Sequence, residues 1–126
     1  MRLLLDSNAV FWAMLDDPKL SAAASQLLRD PANQCLVSPV SHWEMALKIS
    51  VGKYQISDDF QAMWRDALAR FAVLPIEPRH TARLITLPFH HKDPFDRMLV
   101  AQALAEGVPL VSSDGQLDAY GIQRLW

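Results

Sequence analysis

The segment FHHKDPFDR, residues 89–97, places two carboxylates three positions apart behind a pair of histidines. Asp93 has the properties of a helix N-cap, because Pro94 suits the first helical position and helix-forming residues follow it. Asp96 would then lie in the first turn, where a negative charge is favourable. Capping accounts fully for Asp93, and we interpret Asp96 as a ligand in a pocket at this helix start.

Three further acids occupy related positions. Asp6 ends the apolar run RLLLD, Asp114 ends VPLVSSD, and Glu44 lies in the predicted helix after QCLVS. In a sheet of parallel strands, each strand ends at the edge where the following helix begins, and open α/β folds bind ligands at that edge. The spacing therefore predicts that Asp6, Glu44, Asp96 and Asp114 meet on one rim.

Carboxylates crowded on one rim repel one another unless a cation lies between them. An all-oxygen ligand set favours Mg²⁺ or Mn²⁺ over Zn²⁺ or copper, and such ions typically act on phosphates. Hydrolysis of a phosphodiester is the predicted reaction. A phosphatase has less support, because the sequence has no Asp-x-Asp pair after the first strand and no glycine-rich phosphate loop.

Short apolar runs alternate with helical patterns along the chain. The predicted strands are RLLLD, QCLVS, AVLPI, VPLVSSD and a last edge strand near the C-terminus. Strands that are apolar on both faces and separated by helices form a mainly parallel sheet covered on both sides. We therefore predict an α/β fold, a three-layer α/β/α sandwich with four to five strands. At 126 residues, the chain is expected to be one domain over residues 1–126.

Composition narrows the function classes. The net charge of −2 argues against strong sequence-independent binding to nucleic acid, although an enzyme could hold RNA through a local basic rim and metal ions. Cys35 is the single cysteine, which rules out an internal disulfide and favours a cytoplasmic protein. No apolar stretch approaches the roughly 18 residues of a membrane span, so we expect no membrane anchor.

The sequence resembles a PIN domain, the nuclease fold of VapC-type toxins from bacterial toxin–antitoxin pairs. The similarity covers almost the whole chain and rests on four segments: LLLDSNAVFWAML, VSPVSHWEMALKISVGK, HHKDPFDRMLVAQALAEG and PLVSSDGQLDAYGIQRLW. It implies metal-binding catalytic acids at Asp6, Glu44, Asp96 and Asp114, with Ser112 as the hydroxyl before the last acid. It also implies a Mg²⁺- or Mn²⁺-dependent endoribonuclease, a homodimer, and silencing by a VapB-type antitoxin.

Five residues are expected to contact the RNA substrate or to support the acids: Ser7, Asn8, Asp93, Arg97 and Ser112. Ser7 and Ser112 replace threonines that are common in the family, and Asn8 replaces a frequent histidine. These changes keep polar function. Arg97 is expected to steady a phosphate or a pocket carboxylate, with a plain surface ion pair as the alternative.

Several interpretations stay open from the sequence. His90 and His91 are loop histidines, expected to be solvated or to contact phosphate or RNA. Trp12, Trp43 and Trp64 fall at helical spacing and are expected in the core or an interface. A catalytically silent scaffold of the same fold, binding a protein or RNA partner, is the alternative to a nuclease. An intact set of mutually repelling acids disfavours the scaffold.

Overall fold

Five short parallel strands form the centre of the fold. The computed structural model describes residues 1–56 and 59–126. The strands are β1 (Arg2–Leu5), β2 (Gln34–Val37), β3 (Ala72–Val73), β4 (Leu110–Val111) and β5 (Arg124–Leu125). They lie in the order β3-β2-β1-β4-β5, and every pair is parallel. The predicted parallel sheet of four to five strands is confirmed.

In the described part of the chain, six α-helices connect these strands: α1 (Ser7–Met14), α2 (Ala22–Arg29), α3 (Pro39–Ser50), α4 (Phe60–Arg70), α5 (Pro78–Arg83) and α6 (Pro94–Glu106). Two short 3₁₀ helices cover Leu84–Thr86 and Gly115–Tyr120. The helices flank the sheet in two layers, which confirms the predicted three-layer α/β architecture.

Alternation along β1 explains the two layers. Leu3 and Leu5 belong to a buried cluster that includes Val10 of α1 and Met63 of α4, whereas Leu4 belongs to a second cluster with residues of α6. Successive side chains of a strand point to opposite faces of a sheet, so one apolar run packs against helices on both sides. The three consecutive buried leucines of β1 therefore account for its place as the central strand.

Local capping signals position the helices that follow the strands. The side chains of Asp6, Ser38 and Asp93 accept backbone N–H bonds at the N-termini of α1, α3 and α6. Asp59 caps α4 in the same way; Ser57 and Asp58 before it are also residue types that favour a helix N-cap, and they lie outside the described residues. The left-handed φ of 64° at Gly107 ends α6.

The predicted strand AVLPI is shorter than expected. Only Ala72–Val73 is a strand, although the Leu74 N–H still donates to the Val37 carbonyl at an N···O distance of 2.8 Å. Pro75 has no N–H to continue the ladder, and proline is confined to strand ends and edges for this reason. None of the helices in the described part of the chain has the length and apolar character that a membrane span requires.

Candidate functional site

The starts of α1 and α6 position two of the predicted acids at the carboxyl edge of the sheet. Asp6 is nearly buried, and its Oδ1 accepts the Ala9 N–H at 2.7 Å. Asp93 Oδ1 accepts the N–H groups of Phe95 and Asp96 at 2.8 and 3.2 Å, so Asp93 is the N-cap that the sequence predicts. Asp96 lies in the first turn of α6, and its side chain is only 22% exposed.

His91 lies between Asp96 and Asp114. Its Nε2 is 3.0 Å from Asp114 Oδ2 and 3.4 Å from Asp96 Oδ2. One ligand atom from each of the three residues lies within 4.8 Å of the others, which is close enough for all three to surround a single ion. Asp114 Oδ1 also accepts the Gln116 N–H at 3.0 Å, so this acid is held from both sides.

Glu44 completes the acidic rim from α3. Its side chain is buried, and Oε2 lies 2.5 Å from Lys48 Nζ. Oε1 is buried and has no hydrogen-bond partner among the residues that the structure describes. A buried carboxylate oxygen without a hydrogen-bond partner is costly, and a water molecule or a cation at this position would satisfy it.

The pKa values of Asp6 and Asp96 reflect the burial and crowding of acids at this edge of the sheet. Burial raises the pKa of Asp6 to about 6, and the charges of Glu44 and Asp114 add to this against the opposing hydrogen bonds from Ser112 and Ala9. Burial also raises the pKa of Asp96 to about 7, helped by Asp93, Glu44 and Asp6 and opposed by His91. Each anionic form is disfavoured until a cation arrives.

The donor set fits a hard divalent cation. Carboxylate oxygens from four chain segments face one edge, two of them have raised pKa values, and one buried oxygen lacks a partner. Mg²⁺ and Mn²⁺ take oxygen ligands of this kind. The tight group consists of His91, Asp96 and Asp114, whereas Asp6 and Glu44 interact with it through their charges.

Comparison with known proteins agrees with this architecture. The sequence matches the family described as PIN domain over residues 3–123. The chain belongs to the PIN domain family.

This PIN domain is 28% identical to Ribonuclease VapC22 of Mycobacterium tuberculosis over 119 residues, which cover 94% of this chain and 91% of that protein. Its fold is similar to that in the crystal structure of VapBC2 from Rickettsia felis bound to a promoter DNA fragment, with a TM-score of 0.74, 17% identity, and coverage of 99% of this chain and 98% of that one. A toxin–antitoxin complex from Klebsiella pneumoniae gives a TM-score of 0.65 at 19% identity, covering 98% and 96% of the two chains. The predicted resemblance is confirmed at the level of family and fold.

Three predicted supporting residues of the PIN domain make contacts within the protein. Ser7 Oγ donates to Ser41 Oγ at 3.0 Å in a buried pair. Asn8 Oδ1 accepts the Tyr54 hydroxyl at 3.0 Å, and Ser112 Oγ accepts the Asp114 N–H at 3.1 Å. Ser112 thus helps to place the last acid.

The predicted contact of Arg97 with a phosphate or a pocket carboxylate is not what the structure shows, and neither is a surface ion pair. Arg97 is buried, and its guanidinium donates to the carbonyls of Pro88 and Leu87 at 2.7 and 3.2 Å. It also donates to the Tyr120 hydroxyl at 3.1 Å and stacks over the Phe89 ring. Because these backbone carbonyls occupy its donors, Arg97 secures the loop that precedes α6.

Sequence reasoning missed the place of His91. The sequence suggested a solvated or RNA-contacting loop histidine, yet the side chain is only 15% exposed and lies among the acids. Its backbone N–H donates to the Tyr120 hydroxyl at 3.0 Å, and Asp114 lies 23 residues away in the chain. His91 stands two residues before the Asp93 cap, and this spacing is a local signal that could have indicated that its ring packs at the helix start.

Proposed function

We propose that this PIN domain is a Mg²⁺- or Mn²⁺-dependent endoribonuclease that hydrolyses RNA phosphodiester bonds. Asp6, Glu44, Asp96 and Asp114 are the catalytic, metal-holding acids. The observation that carries the proposal is the buried, unpartnered Oε1 of Glu44 beside carboxyl groups whose pKa values are raised. The ribonuclease name of the Mycobacterium tuberculosis relative supports the same reaction.

The position of each residue at the site determines its proposed role. Asp96 and Asp114 present neighbouring oxygens to the same point, and Asp6 after β1 and Glu44 on α3 add negative charge beside them. A bound divalent ion supplies positive charge that offsets the charge developing on the phosphate and lowers the pKa of water. Asp93 keeps the first turn of α6 in place, and Ser112 orients Asp114.

The test is cleavage of a panel of tRNA and rRNA by the purified protein with Mn²⁺ and with EDTA. We expect cleavage in Mn²⁺ that stops in EDTA and that is lost in Asp6→Asn and Asp96→Asn. Asp66→Asn is the matched control, because Asp66 is an exposed aspartate on α4, away from the acidic edge. Circular dichroism checks that all variants fold, and cleavage that persists in EDTA contradicts the proposal.

The biological role that we propose is the toxin of a type II toxin–antitoxin pair, acting in the cytoplasm and silenced by a VapB-type antitoxin. Support comes from the VapBC and toxin–antitoxin structures that share this fold. A groove of about 670 Å³ beside α1 and α2, lined by Trp12, Met14 and Leu28 with Arg29 and Arg70 at its border, offers a surface for such a partner.

Expression in a bacterial host tests the role. We expect growth arrest on induction, and relief on co-expression of a small DNA-binding protein if a neighbouring open reading frame encodes one. The Asp96→Asn variant should not arrest growth and should still co-purify with the partner. Arrest that continues with Asp96→Asn would mean that toxicity does not come from RNA cleavage.

We also propose that the protein is a homodimer. An apolar stripe faces outwards along α3 and its C-cap, where Trp43, Leu47 and Val51 recur every fourth residue and are 61%, 43% and 61% exposed. Leu47→Glu is expected to give a monomer in sedimentation experiments. Leu68→Glu, at a leucine of similar exposure on α4, is the control that should leave the mass unchanged.

A catalytically silent PIN-like scaffold that binds a protein or RNA partner is the alternative. The raised pKa values favour the enzyme, since a silent scaffold gains nothing from carboxyl groups that repel one another. The same cleavage panel distinguishes the two: a scaffold binds RNA or a partner but shows no Mn²⁺-dependent cleavage.

A further inference from the structure

His91 has a geometry that neither of its predicted roles explains. Its ring touches two of the proposed metal-holding acids, which come from different chain segments: Asp96 in the first turn of α6 and Asp114 after β4. We propose that His91 is a positioning residue whose ring forms a bridge between the two acids: Nε2–H donates to Asp114 and lies in contact with Asp96, which fixes the separation of their carboxylates. The inference rests on the proposed function, in which these acids hold a divalent ion.

The hydrogen bonds of the ring determine which nitrogen carries the proton. The Asp93 backbone N–H lies 3.1 Å from His91 Nδ1, and a backbone N–H is always a donor. Nδ1 is therefore the acceptor, and the proton of the neutral imidazole is on Nε2. Nε2–H then donates to Asp114 Oδ2 at 3.0 Å and faces Asp96 Oδ2 at 3.4 Å, so in this arrangement the ring is a donor to the acids and not a metal ligand.

A second layer of contacts holds the ring in place. The His91 N–H donates to the Tyr120 hydroxyl, and that hydroxyl also accepts from Arg97. Arg97 in turn binds the carbonyls of Leu87 and Pro88. The buried guanidinium thus ties the loop before α6 to the 3₁₀ helix after Asp114, and His91 lies where the two meet.

The bridge has a direct consequence for ion binding. Gln116 fixes Oδ1 of Asp114, and His91 fixes Oδ2, so both oxygens of this acid have a defined direction. Without the imidazole, like charges on Asp96 and Asp114 would turn the two carboxylates apart. Hydrogen-bond partners of metal ligands typically contribute 10- to 100-fold in metal affinity, so we expect a loss of roughly that size.

Calorimetric titration of the full chain with Mn²⁺ tests the inference without measuring catalysis. His91→Ala should weaken Mn²⁺ binding by roughly 10- to 100-fold. His91→Gln should retain most of the affinity, because its amide nitrogen reaches the place of Nε2 and can donate there. His91→Asn should behave like His91→Ala, because its shorter amide reaches only the place of Nδ1.

His90→Ala is the matched control. The neighbouring His90 packs its ring against Tyr120 at 5.0 Å and makes no contact with the acids in the described structure. This variant should bind Mn²⁺ like the unchanged protein. Nitrogen NMR of His91 in the metal-free protein should show the proton on Nε2.

The outcomes separate this inference from the proposed function. If the unchanged protein does not bind Mn²⁺, both are overturned. If it binds Mn²⁺ and His91→Ala binds equally well or more tightly, only the positioning role is overturned. Should His91→Ala fail to fold, equal affinities of His91→Gln and His91→Asn overturn the role, as does a proton found on Nδ1.

Discussion

Acidic side chains have opposite electrostatic surroundings at the amino edge and at the carboxyl edge of the sheet. At the amino edge, Glu106 at the end of α6 pairs with Arg2, Arg79 and His80, and hydrogen bonding to Arg79 lowers the pKa of its carboxyl group. At the carboxyl edge, where α6 begins, acids outnumber their basic partners and the pKa of Asp96 is raised to about 7. The two ends of α6 therefore differ. Basic side chains neutralise Glu106 at its C-terminus, whereas the negative charge of the acids around its N-terminus is not fully offset by basic groups.

This difference indicates that the acids that stabilise the fold and the acids proposed for catalysis lie at opposite edges of the sheet. A carboxylate surrounded by arginines adds to the stability of the fold, while buried carboxylates without cations oppose folding until an ion binds. Proteins typically keep such locally unfavourable groups at functional sites, with the surrounding structure stabilising them. The contrast therefore supports the carboxyl edge as the proposed functional site.

The largest expected effect compares the two ends of α6 in catalysis. Asp96→Asn should lower the initial rate of Mn²⁺-dependent RNA cleavage by about 100-fold or more, because a metal site supplies several kcal/mol of transition-state stabilisation. Glu106→Gln should leave the rate unchanged. A comparable loss in Glu106→Gln would break the functional distinction between the edges.

The next effect is the pH dependence of the metal-free protein. Asp6 and Asp96 have folded-state pKa values of about 6 and 7, above the ordinary value of 3.8, so the native state binds more protons than the unfolded state between these pH values. The stability that they contribute is complete below pH 4 and is lost as pH rises towards 7, by an amount on the order of a few kcal/mol. Urea denaturation in EDTA measures this decline.

Two comparisons sharpen that measurement. Asp96→Asn should flatten the decline, because the amide does not ionise, and saturating Mn²⁺ should also reduce it. If the free energy of unfolding of the unchanged protein in EDTA instead rises between pH 4 and 7, the negative charge at this edge is compensated and the prediction is wrong.

Lys48→Met is expected to have a smaller effect. Burial lowers the pKa of Lys48, yet the hydrogen bond and charge of Glu44 more than offset this and raise it. Removing the ammonium should lower the free energy of unfolding in EDTA by about 1–2 kcal/mol, since Glu44 loses its cation. The loss should shrink in Mn²⁺. Lys53→Met, at an exposed lysine, is the control for urea denaturation.

The smallest effect belongs to the amino edge. Glu106→Gln should cost about 1 kcal/mol at pH 7, as expected for ion pairs with partly exposed arginines. The lowered pKa of Glu106 means that its contribution is present above the ordinary value of 4.5 and is lost as pH falls below it. Thermal unfolding at pH 7 and pH 3 should show the difference only at the higher pH.

The sequence by itself determined the order of strands and helices and the edge at which the acids would lie. Those features depend on local signals: Asp93 caps a helix that starts one residue later, and the alternation of Leu3, Leu4 and Leu5 assigns their faces within one strand. Contacts between residues two or three positions apart follow from residue type.

Only the tertiary structure decided the places of His91, Arg97 and the unpartnered oxygen of Glu44. His91 meets Asp114 across 23 residues, and Arg97 meets Tyr120 across the same distance in sequence. Such contacts depend on how the loop before α6 folds back over the sheet edge, which no local pattern specifies. A polar side chain in that loop takes its role from the partners that the complete fold brings to it, because burial leaves it no water with which to pair.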